Sequence, residues 1–194
     1  GQEKLLTTKC LIVGAGGLGC PVALYASAAG FGHIEIWDDD FVDITNLNRQ
    51  IAHDNNQIGI DKANSLAAAC SRLNPNILII PKVKKLDSSS SIKDFDLIFD
   101  CSDNPETKYI LNLLSHNYNK ILISGSAVQM EGQLSIWKSG VDKIYPCYEC
   151  VFPKTIDKAP TTNCRDAGII GSITGLIASM QVTEGIKEIA LKKY

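Results

Sequence analysis

Several short stretches of this sequence carry groups suited to holding phosphate. Gly14-Ala15-Gly16-Gly17-Leu18-Gly19 directly follows an apolar run and opens a pattern of small, helix-compatible residues. Glycines at this spacing permit a tight turn and close backbone approach. The helix beyond offers free N–H groups and the positive end of its dipole to a phosphate. Asp38 comes 19 residues after Gly19, at the end of the next apolar run, where a carboxylate can bond ribose hydroxyls. Gly14, Gly16, Gly17, Gly19 and Asp38 point to nucleotide binding. Alone they suit NAD and ATP equally.

The next stretches separate the two. Hydride transfer between uncharged carbon centres needs no extra cations beside the phosphates, whereas transfer at phosphorus must meet charge building on phosphate oxygens. Arg49, in Asn46-Leu-Asn-Arg49-Gln50, and Lys62, in Gly59-Ile-Asp-Lys62, supply two cations, one from a loop and one from a helix start. Asp103, in Asp100-Cys-Ser-Asp103-Asn104, falls at the tip of another apolar run and can hold Mg²⁺. Each taken singly is as readily a solvated side chain or a helix cap. Their joint position at strand C-terminal edges, where open α/β sheets bind ligands, favours function.

The cysteines divide in two. Cys10, Cys20, Cys70 and Cys101 lie in apolar runs, whereas Cys147 and Cys150 form a C-x-x-C and Cys164 stands between Asn163 and Arg165. The C-x-x-C pair supplies half of a tetrahedral zinc site. Cys164 precedes a helix and neighbours an arginine, and both features lower a thiol pKa. His33, His53 and His116 lie in or beside core elements or behind the arginine loop, and are poor substitutes for the missing zinc ligands.

The elements that must position these groups alternate. Strands are expected at Cys10–Val13, His33–Trp37, Ile77–Ile80, Asp96–Phe99 and Ile121–Ser124, with helices at Leu18–Ala29, Asp61–Leu73 and Pro105–Ser115 between them. Near-continuously apolar strands in βαβ alternation imply an α/β fold with a doubly wound, mostly parallel, Rossmann-like sheet. Gly132–Lys138 alternates at period two and reads as an antiparallel extension. Tyr145 to Arg165, rich in Pro, Cys, Thr and Asn, reads as a long crossover loop of functional kind. A helix from about Ile169 to Lys192 closes the chain.

The 194 residues suit a single domain spanning 1–194, and 45% apolar content suits a buried core. Without an initiator methionine, Gly1 opens as though residues were missing upstream. A net charge of −2 gives no reason to expect nucleic acid, and no apolar run has the length of a membrane span. Seven cysteines, an odd number mostly in apolar runs, suit a reducing compartment, with the cytoplasm as the expected location.

Taken in order, Gly14-Ala-Gly-Gly-Leu-Gly19, Asn46 with Arg49-Gln50, Gly59 with Lys62, Asp100-Cys-Ser-Asp103-Asn104, Met130-Glu-Gly-Gln133, Pro146-Cys-Tyr-Glu-Cys150 and Asn163-Cys-Arg-Asp-Ala-Gly168 form a recognisable series. The series resembles the ThiF/MoeB/HesA family, the ubiquitin-activating-enzyme-like adenylyltransferases of thiamine and molybdopterin biosynthesis, and is most similar to the thiamine branch. The resemblance covers essentially the whole chain. It implies ATP-dependent adenylation of the C-terminal glycine of a ubiquitin-like sulfur-carrier protein, with release of pyrophosphate. It implies that Gly17 lies against the phosphates, Asp38 bonds the ribose, Arg49 and Lys62 contact the phosphates, and Asp103 serves Mg²⁺. Asn46 and Gln50 belong to the same nucleotide site, and a homodimer is implied.

The resemblance makes Cys147 and Cys150 half of a structural Zn²⁺ site, whose second C-x-x-C would lie beyond Tyr194 or have been lost. Cys164 becomes a residue of sulfur transfer or covalent attachment rather than of adenylation. An NAD-dependent oxidoreductase is the alternative enzyme, although no evident proton-transfer partner accompanies the glycines. A non-catalytic scaffold is disfavoured by the joint presence of Arg49, Lys62 and Asp103.

Overall fold

The computed structural model of the chain describes residues 1–154 and 168–191. Lys9–Val13 forms strand β1, and its side chains go alternately to two cores: Cys10 and Ile12 to one, Leu11 and Val13 to the other. A strand buried on both faces has no polar face to alternate with, so it reads as an unbroken apolar run. His33–Asp38 (β2), Leu78–Val83 (β3) and Leu97–Asp100 (β4) run parallel to it, as does Ile121–Val128 (β5). Glu131–Trp137 (β6) pairs antiparallel with β5. The strand order is β3-β2-β1-β4-β5-β6. The chain steps outward from β1 through β2 to β3 and then crosses back to β4 on the other side of β1, so a crevice opens beyond the C-terminal ends of β1 and β4.

Helices cover one face: Gly19–Ala29 (α2), Lys62–Leu73 (α3) and, after the crossover, Gly171–Ile186 (α6). They pack on Ile12, Ile34, Ile36, Leu97, Phe99 and Ile123. Phe99 is fully buried, and removing such a side chain from water stabilises by about 1.5–3 kcal/mol. The other face carries Pro105–Asn117 (α4) and the segment containing Leu86, Ile92 and Phe95. Asn104 caps α4, its side chain accepting from the Thr107 N–H at 2.8 Å, and Pro105 occupies the first turn.

The sheet and its helices match the sequence expectation, with differences at the edges. A helix α1 over Gln2–Thr7 was not foreseen, because six residues with Leu5 as the buried one show no periodicity. Strand β5 continues four residues past Ser124, where Gly125, Ser126 and Ala127 hide a strand from an apolar count. The crossover holds a helical turn, α5, over Tyr148–Val151. The last helix ends at Ile186 and continues as a π-helical turn over Lys187–Leu191. Among the described residues, no helix is long and apolar enough to cross a membrane.

Candidate active site

The crevice is a cleft of about 1050 Å³, lined by residues from the C-terminal ends of β1, β2, β4 and β5 and from β6. Gly14, Gly16, Gly17, Asp38, Asn46, Arg49, Gln50, Lys62 and Asp103 all lie in its wall. Residues spread along the chain from Gly14 to Asp103 are thus brought to one place, as the strand-tip reading required.

The glycine turn is built from steric necessity. Gly14 adopts φ +100°, and a Cβ there would come within 2.7 Å of the Cys101 carbonyl oxygen. A Cβ on Gly19, the first residue of α2, would overlap the Gly14 carbonyl oxygen. The turn can therefore close only with hydrogen at both positions. Asp38 holds it from β2: Oδ2 accepts from the Ala15 N–H at 2.6 Å, and Oδ1 accepts from the Asp40 N–H at 2.8 Å. Burial pushes the Asp38 carboxyl up from its ordinary value, against these amides and Lys62, which pull it down. Each oxygen keeps a second lone pair for other donors.

Lys62 enters from the start of α3. Its Nζ lies 2.5 Å from Asp40 Oδ2, and its own N–H donates to the Asp40 carbonyl at 2.9 Å. An ammonium has three donors, so pairing with Asp40 leaves others to turn into the cleft. Arg49 is held along its loop, Nη1 donating to the Thr45 carbonyl at 3.2 Å and to Asn48 Oδ1 at 3.0 Å. Gln50 is buried, and its Oε1 has no hydrogen-bond partner among the described residues. Asp103 is exposed in the cleft mouth.

Asp100, three residues before Asp103, faces inward instead. Its Oδ1 accepts from Ser102 N–H and Oγ, and its Oδ2 accepts from Lys108 Nζ at 2.9 Å and Ser124 Oγ at 2.5 Å. Gln181 of α6 donates to the Asp100 and Ile123 carbonyls. This network forms the floor under the cleft, and sequence reasoning did not assign its members. The available signal was on α4, where Lys108 and Asn112 share the i, i+3, i+4, i+7 stripe with Leu111 and Ser115. His53 was also passed over as a site residue, although it hydrogen-bonds the glycine turn.

The C-x-x-C pair lies beside the cleft. Cys147 Sγ and Cys150 Sγ are 3.5 Å apart. Two thiolates on one tetrahedral zinc, each about 2.3 Å from it, would stand about 3.8 Å apart, so the pair fits half a metal site. Among the described residues, no third ligand joins them. Asn112 grips the turn, donating to Cys147 Sγ at 3.5 Å and accepting from the Tyr148 N–H at 2.8 Å. Burial works to raise the Cys147 thiol, but the Asn112 hydrogen bond and bonds within the turn outweigh it and hold the thiol below its ordinary value. Burial pushes the thiols of Cys10, Cys20, Cys70 and Cys101 up. Cys164 lies outside the described residues.

A mostly parallel sheet in this order with a glycine turn at its switch point defines a Rossmann-like α/β fold. Residues 1–193 match the model of the ThiF family, and the chain belongs to that family. It is 43% identical over 190 residues to adenylyltransferase and sulfurtransferase MOCS3 of Caenorhabditis briggsae, covering 96% of this chain and 47% of the relative. It is 42% identical over 191 residues to adenylyltransferase and sulfurtransferase UBA4 of Debaryomyces hansenii, covering 97% of this chain and 42% of the relative. The chain thus spans somewhat under half the length of these relatives. Its fold is shared with E. coli MccB in complex with MccA-N7isoASN, at TM-score 0.81 and 20% identity, over 97% of this chain and 58% of that one.

Proposed function

We propose that this chain uses ATP to adenylate the C-terminal glycine of a ubiquitin-like sulfur-carrier protein, releasing pyrophosphate. The observation that carries the reading is one cleft uniting the glycine turn, Asp38, Arg49, Lys62 and Asp103. Its volume accommodates a nucleotide together with an extended chain terminus. Similarity to proteins named adenylyltransferase and sulfurtransferase supports this reading over an NAD-dependent oxidoreductase.

In this reading Gly16 and Gly17 offer amides to the phosphates, and the spare lone pairs of Asp38 accept ribose hydroxyls. Asn46 and Gln50 complete that wall. A carrier carboxylate oxygen attacks the α-phosphorus, and a new P–O bond forms as the bond to the bridging oxygen breaks and pyrophosphate leaves. Arg49 and Lys62 offset the charge of bringing a carboxylate to a polyphosphate, which water opposes. Asp103 would hold Mg²⁺, an ion commonly bound by one or two carboxylates plus substrate phosphates, and its exposed place in the cleft fits that use. Bound there, the ion supplies charge neutralisation at the phosphate oxygens.

Cys147 and Cys150 would serve a structural Zn²⁺ with ligands from elsewhere, and Cys164 would act in sulfur transfer after adenylation. Phe41, Ile44, Ile51 and Ile58 are exposed, a surface suited to a second copy of the chain in a homodimer. The cytoplasm is its proposed location. The test is exchange of radiolabelled pyrophosphate into ATP in the presence of Mg²⁺ and a carrier ending in glycine. Carrier-dependent exchange is expected. Absence of exchange with every such carrier, or tighter binding of NAD than of ATP, defeats the reading.

A further inference from the structure

His53 is a buried histidine, 6% exposed, to which the reaction above gives no task. Its ring bridges the glycine turn and the start of α3 behind the cleft wall. Nε2 lies 3.0 Å from the carbonyl oxygen of Ala15 in the glycine turn, and Nδ1 lies 2.7 Å from Oγ of Ser65 in the first turn of α3, the helix that Lys62 begins. A carbonyl only accepts, so Nε2 carries the proton and, in the neutral ring, Nδ1 accepts from the Ser65 hydroxyl. Burial holds the imidazole below its ordinary pKa and so favours that neutral ring. Cys20 Sγ, 3.5 Å from the same carbonyl, adds a weaker donor.

Peptide planarity turns this bond into a direction. In a trans peptide the C=O and the N–H of one unit point opposite ways. With the Ala15 carbonyl drawn inward onto His53, the N–H of Gly16 points outward, to the side of the cleft that Gly16 and Gly17 line. The preceding peptide is pinned by the Ala15 N–H donating to Asp38. Gly16 and Gly17 lack side chains that could restrain rotation; the Gly16 carbonyl accepts from the Cys20 N–H at 2.9 Å, and His53 holds the peptide before it.

We infer that His53 is a positioning residue for nucleotide binding: it locks the Ala15–Gly16 peptide with its N–H facing phosphate, and through Ser65 it keeps that peptide in register with Lys62. The identity of the ligand rests on the ATP reading above.

The test compares His53→Leu, His53→Gln and His53→Asn in the full chain. Glutamine places an amide N–H near the Nε2 position, asparagine near the Nδ1 position, and leucine offers neither. In pyrophosphate exchange, His53→Leu should raise KM for ATP about tenfold, the worth of one well-placed hydrogen bond. KM for the carrier should stay within about twofold of wild type, and His53→Gln should bring KM for ATP back to within about threefold while His53→Asn does not.

A second readout needs no turnover. In nucleotide-free ¹H–¹⁵N spectra the Gly16 and Gly17 amides should move in His53→Leu and return in His53→Gln, and wild-type His53 should show a protonated Nε2. Wild-type KM for ATP and unmoved glycine amides in His53→Leu would overturn the inference. So would equal rises in both KM values, with a fall in Tm that glutamine does not reverse, because that is a purely structural histidine. If wild-type protein binds no nucleotide, the ATP reading falls, and the glycine amide spectra alone decide whether His53 sets the turn.

Discussion

The Lys108 ammonium lies 2.9 Å from Asp100 Oδ2, with side chains 9% and 0% exposed. Its other donors go to Ser124 Oγ at 3.3 Å and the Gly125 carbonyl at 2.8 Å, so all three point into the floor and none is left for phosphate. Lys108 is thus a lysine in the cleft wall whose work is structural, tying α4 to the end of β4 and the middle of β5. Removing one partner strands a buried charge. Lys108→Ala should lower unfolding stability by about 3–5 kcal/mol, measured in urea, and adding Asp100→Asn should recover part of it. A loss below about 1 kcal/mol would mean that water reaches the site and satisfies Asp100.

Asp103 gives the opposite expectation. It is exposed in the cleft mouth, three residues from Asp100, so Asp103→Ala should leave Tm unchanged. Loss of the charge neutralisation it is proposed to hold should cost about 3–4 kcal/mol in the barrier, a fall of several hundredfold in pyrophosphate exchange. Exchange within about tenfold of wild type would remove Asp103 from the reaction.

Arg49 tests geometry rather than charge. Nη1 is committed to Thr45 and Asn48, which fixes the plane of the guanidinium and leaves its remaining donors to span two phosphate oxygens. Arg49→Lys keeps the charge and loses the fork, so it should rescue Arg49→Ala poorly in exchange assays. A lysine variant as active as wild type would show that a point charge suffices.

The sequence was legible wherever the physics is local. Gly19 is forced by sterics within one turn, Gly14 by the φ of +100° that the turn requires, and Asp38 by the length of one βα unit, so spacing found them. Arg49, Lys62 and Asp103 were reachable because each follows or opens an element whose end the sequence marks, as Asn104 and Pro105 mark α4. The floor network and His53 were not. Lys108 meets Asp100 within the chain's local range but is fixed by Ser124 and Gly125 across the sheet, and His53 meets Ala15 across 38 positions. Nothing in the residues flanking either partner encodes that meeting.

The buried imidazole of His53 also sets a pH dependence. Burial lowers its folded pKa below the ordinary 6.5, so the unfolded chain takes up the proton first. The stability it contributes is therefore complete above about pH 6.5 and is lost as pH falls below that value toward the folded pKa. Wild type should lose stability on acidification through that window more steeply than His53→Gln, which has no proton to gain. Parallel curves for the two proteins would mean that His53 takes up its proton equally in the folded and unfolded chain.

Replacing Cys164 tests whether the proposed adenylation and the proposed later transfer use separate residues. Attack of a carrier carboxylate on the α-phosphorus involves no thiol, whereas transfer needs a nucleophile against the acyl-adenylate, displacing AMP. Of the cysteines, Cys10, Cys20, Cys70 and Cys101 are buried with raised pKa values, and Cys147 and Cys150 face each other in their turn. Cys164, beside Arg165 in the sequence, is the thiol proposed for transfer. Cys164→Ser should keep carrier-dependent pyrophosphate exchange near wild type and lose the covalent enzyme–carrier species on non-reducing electrophoresis after ATP and carrier are added. Lost exchange would place Cys164 in the adenylation site. A persistent covalent band would assign the transfer to another cysteine, with Cys150, exposed at the end of its turn, the next to replace.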